Sequence, residues 1–367
     1  MRFLSVVWYK VLPPRYGGQK GIALFNRALA ARYPLACLCS ADNDPASEEY
    51  PVLPELPVGK TQFANPLVWR KIIVQARSTQ ATHIILEHPY HAIAAVLAKK
   101  ITGARLVVHS HNIEHIRFRD QGRRGWKQLC RLERYAHRRA DLSLFKTAKD
   151  LVYATDAFGL DETKCMVLPY GFDQRLRPDT GTASIRERHN IGDDTRIILF
   201  AGTLDYLPNA EALIHMIHHV APRLRTIMSQ EYRIIICGRN ERMAPLHEQF
   251  CAFPEIIIAG DVPDISPYLH AADVFINPVT KVAGVQTKII DAIAAGCNVA
   301  CFEKATEGID RNACTGKLFA AQDGSWQSFA AQVKTAMQEK VPTPPSFYLT
   351  YSWDSIVDRF VGRAATL

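Results

Sequence analysis

Lys288 and Asp291 stand three residues apart, just beyond a loop that carries Gly284. On a helix that spacing puts both side chains on one face. An amine so placed can meet phosphate, and the carboxylate can accept hydrogen bonds from sugar hydroxyls. The stretch around them, PVTKVAGVQTKIIDAIAAGC (278–297), follows a β-branched run, DVFINP (273–278). Ile289, Ile290, Ile293 and Ala294 then recur as one apolar helical face. Gly296 fits a helix end, and NVACF (298–302) returns to strand chemistry. A strand, a glycine-containing loop and a helix in that order aim backbone N–H groups and a helix dipole at one point. That point suits an anion such as a diphosphate. Lys288 falls in the first turn, where a cation has no helix-dipole reason to be. The same residues also fit a surface Lys–Asp pair beside an ordinary β–α turn.

Other candidate groups lie in the first half. Gly17 and Gly18 follow the first strand-like run in KVLPPRYGGQK, where paired glycines let backbone approach a ligand or simply make a tight turn. Glu87 and His88 end the third such run. His109, His111, Asn112, Glu114 and His115 follow in HSHNIEH. The three histidines are spaced i, i+2, i+6 across a strand end and a loop, which matches no zinc pattern, so the reading is no metal. A strand-end histidine can instead hydrogen-bond a substrate hydroxyl or carbonyl, or be a satisfied buried residue. Next comes a basic segment over 117–139, in which Lys127, Arg131, Arg134 and Arg138 form one helical stripe. Such a helix fits an anionic membrane surface or a solvated face over a core. No aromatic-interleaved basic motif or recognition helix appears, so nucleic acid is not expected as a partner.

These groups need a scaffold. Strand-like runs near 3–9, 35–40, 83–88, 105–111, 142–146 and 165–169 alternate with helical stretches near 19–32, 66–79, 90–102, 125–139 and 147–157. A polar segment, 173–194, reads as a linker. Beyond it a second alternating series runs through RIILFAG (196–202), a helix at 209–228, YRIIICG (232–238), a helix near 242–252 and EIIIAG (255–260). It continues through a short helix at 264–271, the opening stretch and a helix around 325–339, and a final helix near 352–364 closes the chain. Alternation of this kind predicts parallel sheets covered by helices, with ligands at the carboxyl ends of the strands. Three strands of the second half end in glycine, Gly202, Gly238 and Gly260, but no G-x-G-x-x-G follows any of them, which weakens a dinucleotide reading. The expected organisation is an α/β domain over 1–172, a linker over 173–194, a second α/β domain over 195–345 and a terminal helix over 346–367.

A length of 367 residues suits two cores rather than one. With 48% hydrophobic and 22% charged residues the composition is globular. The nine cysteines form no C-x-x-C pair, which suggests reduced thiols in a cytoplasm. The N-terminal apolar run is short for a signal peptide, and no run approaches the ~18 residues of a membrane span. A net charge of +8 permits an anionic partner.

The second half resembles family-4 glycosyltransferases of the GT-B fold, in the branch whose strand-turn reads like FAGTLDYLPNAEA. ICGRN, AGDVPDISPYLHAADVFINP, VAGVQTKIIDAIAAG and SWDSIVDRF follow in the expected order. In the first half YGGQKG, VVHSHNIEHIRF, RADLSLFKTAKD and MVLPYGFD are similar to that family, so the likeness spans nearly the whole chain.

The resemblance implies two Rossmann-like, doubly wound domains facing across a cleft, with the final helix crossing back to the first. It implies a hexosyl-type transfer from a nucleotide-diphosphate-sugar to a glycan or lipid-linked acceptor, with retention of configuration. No metal or cofactor is implied, the nucleotide-sugar being substrate. On the second domain Gly202 and Thr203 would line the donor site. Backbone at Asp261 and Val262 would meet the base. Gly284, Val285, Gln286, Thr287 and Lys288 would hold the diphosphate, and Asp291 the ribose. Gly17 and Gly18 would close over the phosphates, and His111 would reach the donor sugar. Ala283 and Asp291 stand where the family has two glutamates. Thr203 replaces a common phosphate-binding arginine, so Lys288 must carry more charge, helped by Arg239. Those departures leave open a catalytically silent module, and the same architecture can host a sugar-nucleotide epimerase. The implied location is the cytoplasm, peripheral to the inner face of a membrane.

Overall fold

The computed structural model describes residues 1–14, 17–173, 182–238, 250, 252–281 and 284–367. The chain divides into two units, Met1–Gly171 with Trp353–Leu367, and Phe172–Ser352.

The first unit holds β1 (Phe3–Val7), β2 (Leu35–Ser40), β3 (Val52–Leu56), β4 (His83–Glu87), β5 (Arg105–Ser110), β6 (Leu142–Phe145) and β7 (Cys165–Val167). They form one sheet in the order β3-β2-β1-β4-β5-β6-β7, every pairing parallel. All of β1 is buried, because alternate residues point into two different cores. Phe3 and Val7 pack with Ile22, Phe25, Trp353 and Phe360, whereas Leu4 and Val6 pack with Ile72, Val96 and Val108. The Trp353–Ala364 helix thus belongs to this unit, lying on the Gly17–Ala30 helix. There Phe360 meets Phe3 and Phe25, and Arg32 pairs with Asp358.

The second unit holds β8 (Arg196–Ala201), β9 (Tyr232–Cys237), β10 (Ile256–Gly260), β11 (Val274–Asn277), β12 (Asn298–Phe302) and β13 (Leu318–Ala321). Its order is β10-β9-β8-β11-β12-β13, again parallel throughout. In both sheets the strand that comes first in sequence sits mid-sheet, and the winding reverses beside it. That reversal, at β1/β4 and at β8/β11, opens a crevice at the strand carboxyl ends.

Sequence patterning misses two strands, β3 and β13. β3 contains Pro54, which argues against a central strand, and β3 is in fact the sheet edge, where a missing N–H is tolerated. The expected single helix over 209–228 starts at Leu207 and is interrupted. Leu207–His215 passes through a π-helical turn, Met216–Val220, into Ala221–Ile227. Pro222 has no N–H to give the preceding turn, and a wider turn absorbs the gap. The helix expected near 242–252 lies almost wholly outside the described residues. Within 173–194, Thr182–Arg188 is helical.

Candidate functional site

In the second unit the reversal point gathers the ends of β8 and β11. Beside them, a Cβ on Gly238 at the end of β9 would fall 1.9 Å from the Gly202 carbonyl oxygen, so the ends of β8 and β9 meet backbone to backbone. Gly202 in turn faces Asn209, whose amide nitrogen would lie 2.7 Å from an added Cβ. Asn209 sits in the first turn of the Leu207–His215 helix and donates from Nδ2 to the Thr203 carbonyl at 2.9 Å. Its Oδ1 accepts from Lys288 Nζ at 3.0 Å, and the ammonium lies 5.2 Å from the Phe200 ring centroid. Lys288 therefore joins the two strand–helix connections that flank the crevice. Burial pulls its amine down to about 7.

Lys288 leaves from the first turn of the Thr287–Ala294 helix, which has no acidic residue there and no side-chain cap from Gln286. Gly284 is exposed with φ 70°, and Val285, Gln286 and Thr287 are half-buried as the loop enters the helix. Asp291, also half-buried, is one turn further on. Asn277 closes β11 with its Oδ1 buried and, among the described residues, without a hydrogen-bond partner. Asp261 is exposed and Val262 half-buried beyond β10. Arg239 and Ala283 lie outside the described residues.

The first unit has its own polar centre at the ends of β4, β5 and β6. Glu87, fully buried, accepts from His111 Nε2 at 2.6 Å and from His109 Nδ1 at 3.0 Å. The two imidazole rings are 4.3 Å apart, with His88 4.7 Å from His111. His111 is thus buried, its Nε2 held by the carboxylate and its Nδ1 3.4 Å from the Tyr170 hydroxyl. Giving Nε2–H to Glu87 leaves Nδ1 as the ring's acceptor, the atom able to take a proton-bearing hydroxyl. Burial and then the neighbouring His109 hold His111 well below the usual histidine range, against the pull of Glu87. His115, by contrast, is a structural residue. It pairs with Glu133 and with Tyr153, and the Glu133 carboxylate also accepts from the backbone N–H groups of Glu114 and His115. Gly17 and Gly18 open the Gly17–Ala30 helix, Gly18 near the Tyr9 hydroxyl.

Spacing did not reveal that Glu87 joins two of the three histidines. Their ligand atoms lie within 4.8 Å of one another, the only such group among the described residues. Buried Lys146 stands beside them, 4.5 Å from the Tyr170 centroid and, among the described residues, with no hydrogen-bond partner for Nζ. A cation there opposes a metal ion and balances Glu87. Burial lowers Lys146 to about 7. An unfolded lysine titrates near 10.4, so the unfolded chain binds the extra proton between those values. Lys146 therefore contributes a stability that rises as pH climbs from about 7 toward 10, by a few kcal/mol at most. Lys146→Met should flatten that rise; urea unfolding at pH 7 and 9.5 measures it, and an unchanged slope would remove the buried charge.

The basic segment forms the Trp126–Arg139 helix, with Lys127, Arg131, Arg134 and Arg138 exposed. Two of the four have local work. Arg134 and Arg138 donate to the Ala157 and Phe158 carbonyls, capping the C-terminus of the Ala148–Phe158 helix. Glu133 is buried, so it does not offset the stripe at the surface.

Two all-parallel α/β units, each with its polar side chains gathered where the sheet winding reverses, define the GT-B class of proteins. Residues 17–176 match the model described as Glycosyltransferase Family 4, and residues 195–339 match Glycosyl transferases group 1. The chain belongs to this family and is a glycosyltransferase. No curated protein sequence matches it. Among solved structures it is similar to sucrose-phosphate synthase from Thermosynechococcus elongatus (TM-score 0.75, 13% identity, covering 100% of this chain and 99% of that one). HepE from Anabaena, solved with UDP, is also similar (TM-score 0.75, 15% identity, 100% of both chains). So is the UDP-GlcNAc 2-epimerase from Methanocaldococcus jannaschii (TM-score 0.62, 10% identity, 100% of both). At such identities the likeness speaks for the fold.

Proposed function

We propose that this enzyme moves a hexosyl group from a nucleotide-diphosphate-sugar to a glycan or lipid-linked acceptor, with retention and without a metal. The observation that carries this is the Lys288 ammonium, held at the crevice by a neutral amide beside an uncapped helix start. Both features favour a diphosphate, and together they offset the charge of the leaving group where a metal otherwise would. Gly284 to Thr287 supply backbone N–H groups, Asp291 takes the ribose hydroxyls, and backbone near Asp261 and Val262 meets the base. Solved relatives carry UDP and UDP-glucose, which makes uridine donors the first probes. His111 offers Nδ1 to the donor sugar once Tyr170 yields it, and Gly17 and Gly18 come against the phosphates.

The test is a panel of nucleoside diphosphates and their sugars, read by thermal shift and by donor turnover without added metal. A raised melting point with slow release of nucleoside diphosphate and an α-linked product from an α-linked donor is expected. Isomerised donor with no acceptor would assign an epimerase instead, and binding without turnover a silent module.

The Trp126–Arg139 helix is proposed as a contact for an anionic membrane surface on the cytoplasmic side. Lys127→Glu with Arg131→Glu spares the two capping arginines. It should cut sedimentation with phosphatidylglycerol vesicles several-fold, more at low salt. Equal binding by the variant would return the helix to a solvated face.

A further inference from the structure

Asn209 does something that the donor-binding roles above do not describe. Its amide has one possible orientation. Nδ2 must face the Thr203 carbonyl, which only accepts, and Oδ1 must face the Lys288 ammonium, which only donates. The residue is buried, and the absent side chain of Gly202 is what lets the amide lie flat against the end of β8. Lys288 is thus held by a group that fixes its position without cancelling its charge.

The chemical type matters. A carboxylate at the same place would form an ion pair, and an incoming diphosphate would have to displace it. An alkyl group would leave the ammonium buried with one donor unmet, favouring the neutral amine. An amide avoids both: it satisfies a hydrogen bond and leaves the net positive charge for the ligand. We propose that Asn209 is a positioning residue that keeps Lys288 placed and charge-available for the donor diphosphate, with Thr203 and Gly202 as its supports. This rests on the donor reading above. It also gives Thr203 a function through its backbone carbonyl rather than its side chain.

The experiment compares wild type, Asn209→Asp, Asn209→Leu and Lys288→Ala in calorimetric titration with UDP, GDP and ADP from pH 6 to 9. Circular dichroism melts verify that each variant is folded. Lys288 itself is followed without ligand by ¹³C NMR of the reductively methylated protein. In wild type, affinity falls as pH rises past the point where Lys288 loses its proton. Asn209→Asp should weaken binding about tenfold at pH 6.5 and move both the fall and the Lys288 titration to higher pH. Asn209→Leu should weaken binding and move both to lower pH. Folded variants that bind and titrate like wild type, while Lys288→Ala loses binding, would overturn the role of Asn209 and leave the donor site standing. If wild type binds none of the three diphosphates, the donor reading falls, and this inference with it.

Discussion

Lys288→Ala is expected to cost the enzyme roughly 10–100-fold in donor affinity, with a matching fall in kcat/KM. The estimate follows from geometry and charge. Hydrogen bonds to a charged group are worth about 1.5–3 kcal/mol, and each 1.4 kcal/mol is a factor of ten. Lys288 stands in a first helical turn that has no acidic residue and no side-chain cap, so that turn offers the ligand no competing anion. Removing the amine leaves the diphosphate with helix N–H groups and little else. Lys288→Arg should rescue only in part, because a planar fork on a longer side chain does not return a compact ammonium to the point 3.0 Å from Asn209 Oδ1. The pH behaviour is a second signature. The free amine titrates near 7, and only its protonated form attracts phosphate, so wild-type affinity must decline above neutrality. The Lys288→Ala variant should bind weakly and lose that decline. Calorimetry with UDP at pH 6.5 and 8.5 separates these outcomes. Unchanged affinity in the variant would take Lys288 out of the site.

The alternation of strand and helix was legible because the central strands are continuous β-branched or apolar runs buried on both faces, as in β1, β4, β11 and β12. Of the four edge strands, β7 and β10 were read, but β3 and β13 were not, since β3 carries Pro54 and β13 is only LFAA, patterns with no strand-specific signal. Lys288 and Asp291 could be read from spacing because helical periodicity relates residues a few positions apart. Asn209 could not, its partner being 79 positions away in sequence. Only the pairing of β8 with β11 brings them together. Glu87 and His111, 24 positions apart, meet for the same reason, through the pairing of β4 with β5. Histidine spacing alone suggested a three-histidine set. The sheet instead turns His109 and His111 toward Glu87 and sends His115 to Glu133. Lys146 left a faint trace: a lysine directly behind an apolar strand, LSLF, has no exposed strand face to occupy.

The polar centre of the first unit should be the most fragile part of that unit. Glu87→Ala removes the carboxylate that accepts from both His111 Nε2 and His109 Nδ1, and it strips Lys146 of the carboxylate that favours its charge. Breaking a buried ionic group from one side costs about 3–5 kcal/mol, because the remaining groups stay buried and unpaired. For a unit of this size the melting point should fall by on the order of 10 °C. Glu87→Gln should cost less, since its carbonyl keeps one imidazole N–H. The other imidazole then faces an NH₂ donor and must change tautomer. If His111 touches the donor sugar, that change exposes the wrong nitrogen and kcat falls more than stability does. Pairing Glu87→Met with Lys146→Met tests the charge balance directly. Residues coupled through one buried network are not additive, so the double variant should recover part of the stability that Glu87→Met loses. Additive losses would mean that Glu87 serves the histidines alone and that Lys146 is stabilised by Tyr170 without it.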